Sequence, residues 1–161
     1  MIAKANVIIE KVNEVDFSEY EGADEIAMTE GEALFLRGYA YFVLFNVYGG
    51  VPVITARITT EEGANTPKSE PSLVLDQAIA DAEDAISILP ESWDPTFAGR
   101  ATKNSARALL VKALTFRGNY FGNTSDFTRA VTEFGTISGS GLQPRFLDNF
   151  DANLEHNSEA L

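Results

Sequence analysis

The sequence has no cysteine, a single histidine and a single tryptophan in 161 residues. Without cysteine there are no disulfides, no thiol nucleophile and no thiolate metal ligands. One histidine, His156 in a polar tail, cannot build a histidine metal site alone, and no Gly-x-Ser-x-Gly elbow is present. Basic residues are also scarce. Twelve Lys and Arg face 24 Asp and Glu, a net charge of −12. Such a chain repels phosphate backbones and anionic lipid, so neither nucleic acid nor an acidic membrane surface is an expected partner. No basic-then-apolar leader opens the sequence, and its longest apolar run is broken by Arg37 and Asn46. A soluble polypeptide is therefore expected.

Apolar residues make up 45% of the chain, enough for a real core. They recur in steps of three and four. The spacing predicts helices over 2–15, from Asp24 or Thr29 to Tyr48, over 71–89, over 103–118 and over 124–138. Gly49-Gly50 and Pro52 stop the second helix. Ser69 or Ser72 is expected to cap the third and Thr102 the fourth. Residues 53–70 and 90–101 read as loops, Gly118-Asn119-Tyr120 as a turn, and Phe146, Leu147 and Phe150 as a tail docked on the body.

No strand pair is visible. Leu34, Gly38 and Tyr41 match Leu109, Ala113 and Phe116 in type and spacing, with a small residue where two helices can approach. This is the plan of a tetratricopeptide pair. The fold class expected is all-α, built of tetratricopeptide-like antiparallel helix pairs in an α/α superhelix, as one helical domain over 1–161.

Six of the 12 bases fall between 100 and 130, where Asp126 is the only acid, whereas 10–32 and 60–94 hold nine acids each. Either opposed faces pack together or the acidic stretches form solvated surface. Arg37 stands amid apolar side chains, and a buried guanidinium is costly unless paired. Glu32 or Asp81 is its candidate partner in a structural ion pair; a site for a ligand anion is the other reading. Asp81, Glu83 and Asp84 share one helix, whereas a hydrolytic carboxylate pair needs opposed positions across a cleft. They read as a solvated face. Trp93, in a loop with Pro95 and Phe97, either stacks on a sugar ring or staples its loop to the core. Asp151-x-Asn153-x-Glu155 alternates oxygen ligands but lacks the turn glycine and distal Glu of a calcium loop. Asn123-Thr124-Ser125 matches a glycosylation sequon. No cofactor, metal or catalytic set is expected.

Several segments share one further property. Ala5-Asn6-Val7-Ile8, the run from Glu32-Ala33 through Phe35-Leu36-Arg37 to Tyr41-Phe42, Tyr48-Gly49-Gly50-Val51-Pro52, Ile79-Ala80-Asp81 through Leu89-Pro90, Gly99-Arg100-Ala101-Thr102-Lys103 and Asn157-Ser158-Glu159 stand in the order of motifs of the SusD/RagB-type nutrient-binding outer-membrane lipoproteins, which the chain resembles. Ala82 departs from the Leu common there, and the lipid-bearing cysteine is missing. The resemblance implies a helical, tetratricopeptide-like scaffold, incomplete relative to a family several hundred residues long. It implies non-catalytic capture of oligosaccharide, and hand-over to a TonB-dependent, SusC-like transporter. It also implies a place on the outer face of the outer membrane, lipid-anchored in the full-length parent. A helical-repeat adaptor for a protein or peptide is the alternative, and a hydrolase using the acidic helix is the third reading.

Overall fold

The computed structural model describes residues 1–16, 18–19, 23–139, 141 and 144–150. Among these there are six α-helices and no strand: α1 Ile2–Glu14, α2 Ala23–Tyr48, α3 Thr60–Asn65, α4 Pro71–Ile88, α5 Lys103–Phe121 and α6 Thr124–Phe134. Short 3-10 turns cover Pro95–Phe97 and Phe146–Phe150.

Local chemistry sets most of the ends. Gly49, at φ 68°, donates its N–H to Phe45 O at 2.8 Å and closes α2. Thr102 and Ser105 exchange hydrogen bonds in a capping box that starts α5. α4 opens on Pro71, whose missing N–H costs nothing in a first turn. The expected serine cap is not used. Glu70 occupies that position without a side-chain bond, and Ser69 Oγ accepts from Val53 N–H at 3.2 Å, tying the preceding loop instead.

Three expectations about elements are corrected. The 53–70 loop contains α3, capped by Thr59 and Glu62 in a full capping box. Gly118-Asn119-Tyr120 lies inside α5, which ends at Gly122 with φ 69°. Gly118 is required because a Cβ there would meet Phe127 Cζ and Asn123 O, both at 3.1 Å. The tail residues Phe146, Leu147 and Phe150 are about three-quarters exposed rather than docked.

Consecutive long helices run antiparallel, as the paired residues show. Asn13 bonds Glu30 while Asn6 bonds Arg37, which fixes α1 against α2. Gly31 abuts Leu89, Gly38 abuts Ala78 and Gly49 faces Pro71, which fixes α2 against α4. Arg107 reaches Glu91 and Arg117 reaches Asp76, which fixes α5 against α4 and the loop that follows it. Asn104 reaches Ser138 and Gly118 abuts Phe127, which fixes α5 against α6. α5 also lies along α2 in the same direction, with Leu109 at Gly38 and Phe116 edge-on to Phe42 at 5.0 Å. This stack of hairpins is the tetratricopeptide plan.

The core lies where α2, α4 and α5 meet. Tyr41, Leu75, Ala78, Ala82, Leu110, Ala113 and Leu114 are sealed from solvent there. Full burial of each Leu stabilises by roughly 1.5–3 kcal/mol. Alanines on facing stripes let the axes approach. Of the matched repeat positions, Leu34, Tyr41, Leu109 and Ala113 are buried, whereas Phe116 is partly exposed.

Packing accounts for part of the uneven charge pattern, and the remaining described acids are mostly solvated. Arg100 pairs with Glu32, Lys103 and Arg107 with Glu91, Arg117 with Asp76 and Asp126, and Arg129 with Glu83. The basic stretch thus packs against both acidic ones. No described helix is long and apolar enough to cross a membrane.

Candidate functional site

Two polar clusters interrupt the apolar packing. The first is centred on Arg37, at 6% exposure, in the middle of α2. Its Nε and Nη2 donate to Asp81 Oδ2 and Oδ1 at 2.9 and 2.7 Å, a two-point pair across the α2–α4 contact. Its Nη1 donates to Asn6 Oδ1 at 2.9 Å and to Thr55 O at 3.1 Å. Gln77 Nε2, one turn before Asp81, adds a bond to Oδ1 at 2.8 Å. Asn6 Nδ2 in turn donates to Ile54 O and Ala56 O at 3.0 and 2.9 Å. The Tyr41 hydroxyl, one turn after Arg37, donates to Ile54 O at 2.9 Å and accepts from Ile54 N–H at 2.7 Å.

Asp81 is fully buried, so the expectation of a solvated face fails for it. It shares the stripe of Ala78, Ala82 and Ala85 that meets α2, whereas Asp84 is exposed and Glu83 lies beside Arg129. Burial pushes the Asp81 carboxyl above its ordinary value, and the Arg37 guanidinium and Gln77 pull it back. Burial likewise raises the Tyr41 phenol, against the bond to Ile54. No buried side-chain N or O among the described residues lacks a partner. The Arg37 donors therefore serve the protein's own acceptors.

The second cluster holds the loop after α4. Glu32 does not bond Arg37. Five residues apart, the two side chains leave α2 roughly 140° apart around its axis. Glu32 accepts instead from Arg100 Nε and Nη2 at 3.0 and 2.7 Å. The Arg100 guanidinium lies over the Trp93 ring, 3.7 Å from its centroid. The indole N–H donates to Ala101 O at 2.7 Å, and Phe97 packs edge-on. One indole face and its N–H are thus engaged within the loop.

Open space lies elsewhere. A cavity of about 490 Å³ separates α1 from the 52–60 loop, with Ile2, Val7, Tyr41, Ile54 and Ile58 in its walls. A shallower apolar groove of about 270 Å³ runs between α5 and α6 along Val111, Phe116, Phe134 and Ile137. Asn123 is exposed, and its Oδ1 accepts from Ser125 Oγ at 2.7 Å. His156, the Asp151-Asn153-Glu155 triplet and Asn157-Ser158-Glu159 lie outside the described residues.

The hydrogen-bonding roles of Asn6, Tyr41 and Gln77 are not foreseen from the sequence, nor is the separate Arg117 clamp on Asp126 and Asp76. The available signal was polarity in apolar stripes, since Asn6 falls between Ala5 and Val7, and Arg117 follows Phe116.

These features define a helix-hairpin scaffold knit by buried polar anchors. Residues 1–114 match a family model, SusD-like, described as "Starch-binding associating with outer membrane". The chain belongs to that SusD-like family. A SusD-like protein of Formosa agariphila is 37% identical over 86 residues, 53% of this chain and 16% of that protein. A solved structure named a laminarin binding SusD-like protein is 30% identical with a TM-score of 0.70, over 92% of this chain and 31% of that one. A SusD superfamily protein of Bacteroides vulgatus has the same fold at a TM-score of 0.80 and 21% identity, over 98% of this chain and 32% of that one. The chain thus spans a third or less of the length of these relatives.

Proposed function

We propose that the chain is the helical frame of a non-catalytic protein that captures oligosaccharide and passes it to a TonB-dependent, SusC-like transporter. In this reading the full-length parent is lipid-anchored on the outer face of the outer membrane, and 1–161 is one helical domain within it. The observation that carries the proposal is the family match over residues 1–114, a family described as starch-binding. The laminarin-binding name of a 30% identical relative points to the same ligand class. The geometry agrees with a framework role. The motif residues Asn6, Glu32, Arg37, Asp81 and Arg100 bond one another or nearby backbone.

A neutral ligand suits a surface of charge −12, which would repel an anionic one. Trp93 acts as a loop staple, with Arg100 on one ring face, which leaves at most its other face for a sugar. Acid/base hydrolysis is disfavoured because Asp81 is fully buried and engaged by Arg37 inside the core.

The test is titration of laminarin and soluble starch against the protein, with product analysis on the same samples and a pull-down of the transporter from outer membranes. Saturable binding with no shortened glycan and a co-purifying transporter supports the proposal. Absence of glycan binding together with saturable peptide binding would favour the adaptor reading, and released oligosaccharide would favour the hydrolase.

A further inference from the structure

Three consecutive carbonyls, those of Ile54, Thr55 and Ala56, each accept from a buried side chain. The donors come from two helices, Asn6 on α1 and Arg37 and Tyr41 on α2. Asp81 on α4 touches none of these carbonyls; it orients the guanidinium that does. Val51 O and Val53 N–H are tied as well, to Ser69 N–H and Oγ. A segment without regular structure is therefore fixed at nearly every residue from 51 to 56.

The α2–α4 contact does not depend on this pair for its cohesion. Phe45, Val74, Leu75, Ala78, Ala82 and Ala85 bury apolar surface on both sides of it. A buried ion pair exchanged for well-packed apolar side chains is often neutral in stability, because desolvation offsets the attraction. The loop has no such reserve. Without the guanidinium, Thr55 O and Asn6 Oδ1 lose their donor, and α1 holds the segment only through the Asn6 amide and the half-exposed Glu10–Arg57 pair.

We propose that Asn6, Arg37, Tyr41 and Asp81 form a latch whose output is the position of the 54–56 segment and of α1 against it, rather than the joining of α2 to α4. The latch sets the wall of the cavity between α1 and the loop. It makes the loop a fixed feature of the surface although it has little regular structure. Asp81 and Gln77 are positioning residues, acting through Arg37.

Amide hydrogen exchange on the intact chain tests this, because local opening reports region by region. In an Arg37→Met, Asp81→Leu double variant, amides of 53–57 are expected to exchange at least tenfold faster. Those of α2 at 38–46 and α4 at 75–85 are expected to stay within twofold. Loop and helix rates rising together, loss of folding, or an unchanged loop would each overturn the latch. Tyr41→Phe is the second variant. It removes both bonds to Ile54 and leaves the ion pair in place. The Ile54 amide is expected to exchange at least tenfold faster with the helices unchanged, and an unchanged Ile54 rate again overturns the proposal.

Discussion

Gly38→Ala places two well-measured effects in opposition. Alanine is favoured over glycine inside a helix by roughly 0.5–1 kcal/mol, which on its own would stabilise α2. A Cβ at residue 38, however, would lie 3.0 Å from Asp81 Cβ, 3.1 Å from Ala78 O and 3.4 Å from Leu109 Cδ2. The identity of these atoms decides the sign. Ala78 O is helix backbone, and the Asp81 side chain is held at two points by Arg37. Neither can retreat alone, so α4 must shift as a body by a few tenths of an ångström, straining the ion pair as it moves. Overpacking of this kind costs about 1–3 kcal/mol. The clash outweighs the propensity gain, and the net expectation is a loss of about 1 kcal/mol, or a fall in Tm of about 2–4 °C for a chain of this size. Urea unfolding followed by helical circular dichroism should show a lower midpoint at constant slope. Gly63→Ala in α3 is the control. Its nearest neighbour is the tip of Ile58 at 3.4 Å, an exposed and movable side chain, so propensity should win there by up to about 1 kcal/mol. A Gly38→Ala protein as stable as its parent would show that the α2–α4 crossing is not limited by this contact, and the case for close approach would fail.

Other perturbations probe other links. Leu110, 1% exposed between α4 and α5, should cost about 2–5 kcal/mol when cut to Ala, measured by the same urea titration. Arg100→Gln removes the guanidinium from the only tryptophan and a partner from Glu32, so Trp93 emission should shift to the red as its loop loosens; an unshifted spectrum would count against the staple. The Thr59 bonds hold the Glu62 carboxyl below its ordinary 4.5, so the stability that its charged form lends the α3 cap is present above that pH and is lost as pH falls through the lowered folded value. An acid titration of the Thr59 amide by NMR should show that release below 4.5, and a release at or above 4.5 would refute it.

The frame was legible where periodicity met a stop or a cap. α1, the end of α2, both ends of α4 and the start of α5 fall within a residue of the expected bounds. What escaped has physical causes. α3 has no apolar stripe to announce it, and its only signal was Thr59-x-x-Glu62. Gly118 reads as a turn because a glycine inside a helix makes sense only once Phe127 is seen against it. The tail looked dockable by composition, but composition says nothing about whether a surface is available to receive it. At the polar clusters, Arg37 announced itself as a charge among apolar residues, yet Glu32 and Asp81 were both candidates. The choice was settled by a contact 44 residues away along the chain, and local spacing does not encode it.

That long-range choice also bears on how α2 and α4 find one register. The α4 face toward α2 carries Ala78, Ala82 and Ala85, each fully buried. A slide of one helical turn, about 5.4 Å, would set Ala82 where Ala78 had been, or the reverse, but also Leu89 or Asp81 where Ala85 had been, so the apolar fit itself opposes it. The same slide would bring Gln77 or Ala85 opposite Arg37 in place of Asp81. A buried guanidinium without its counterion costs several kcal/mol, which adds to the misfit of the displaced side chains. Glu32 and Arg100 impose a second, independent check between α2 and the start of α5. Small side chains thus let these helices pack closely, and the apolar fit and the buried charges agree on one register. Arg37, Asp81, Glu32 and Arg100 all lie within residues 1–114, the span that matches the family model.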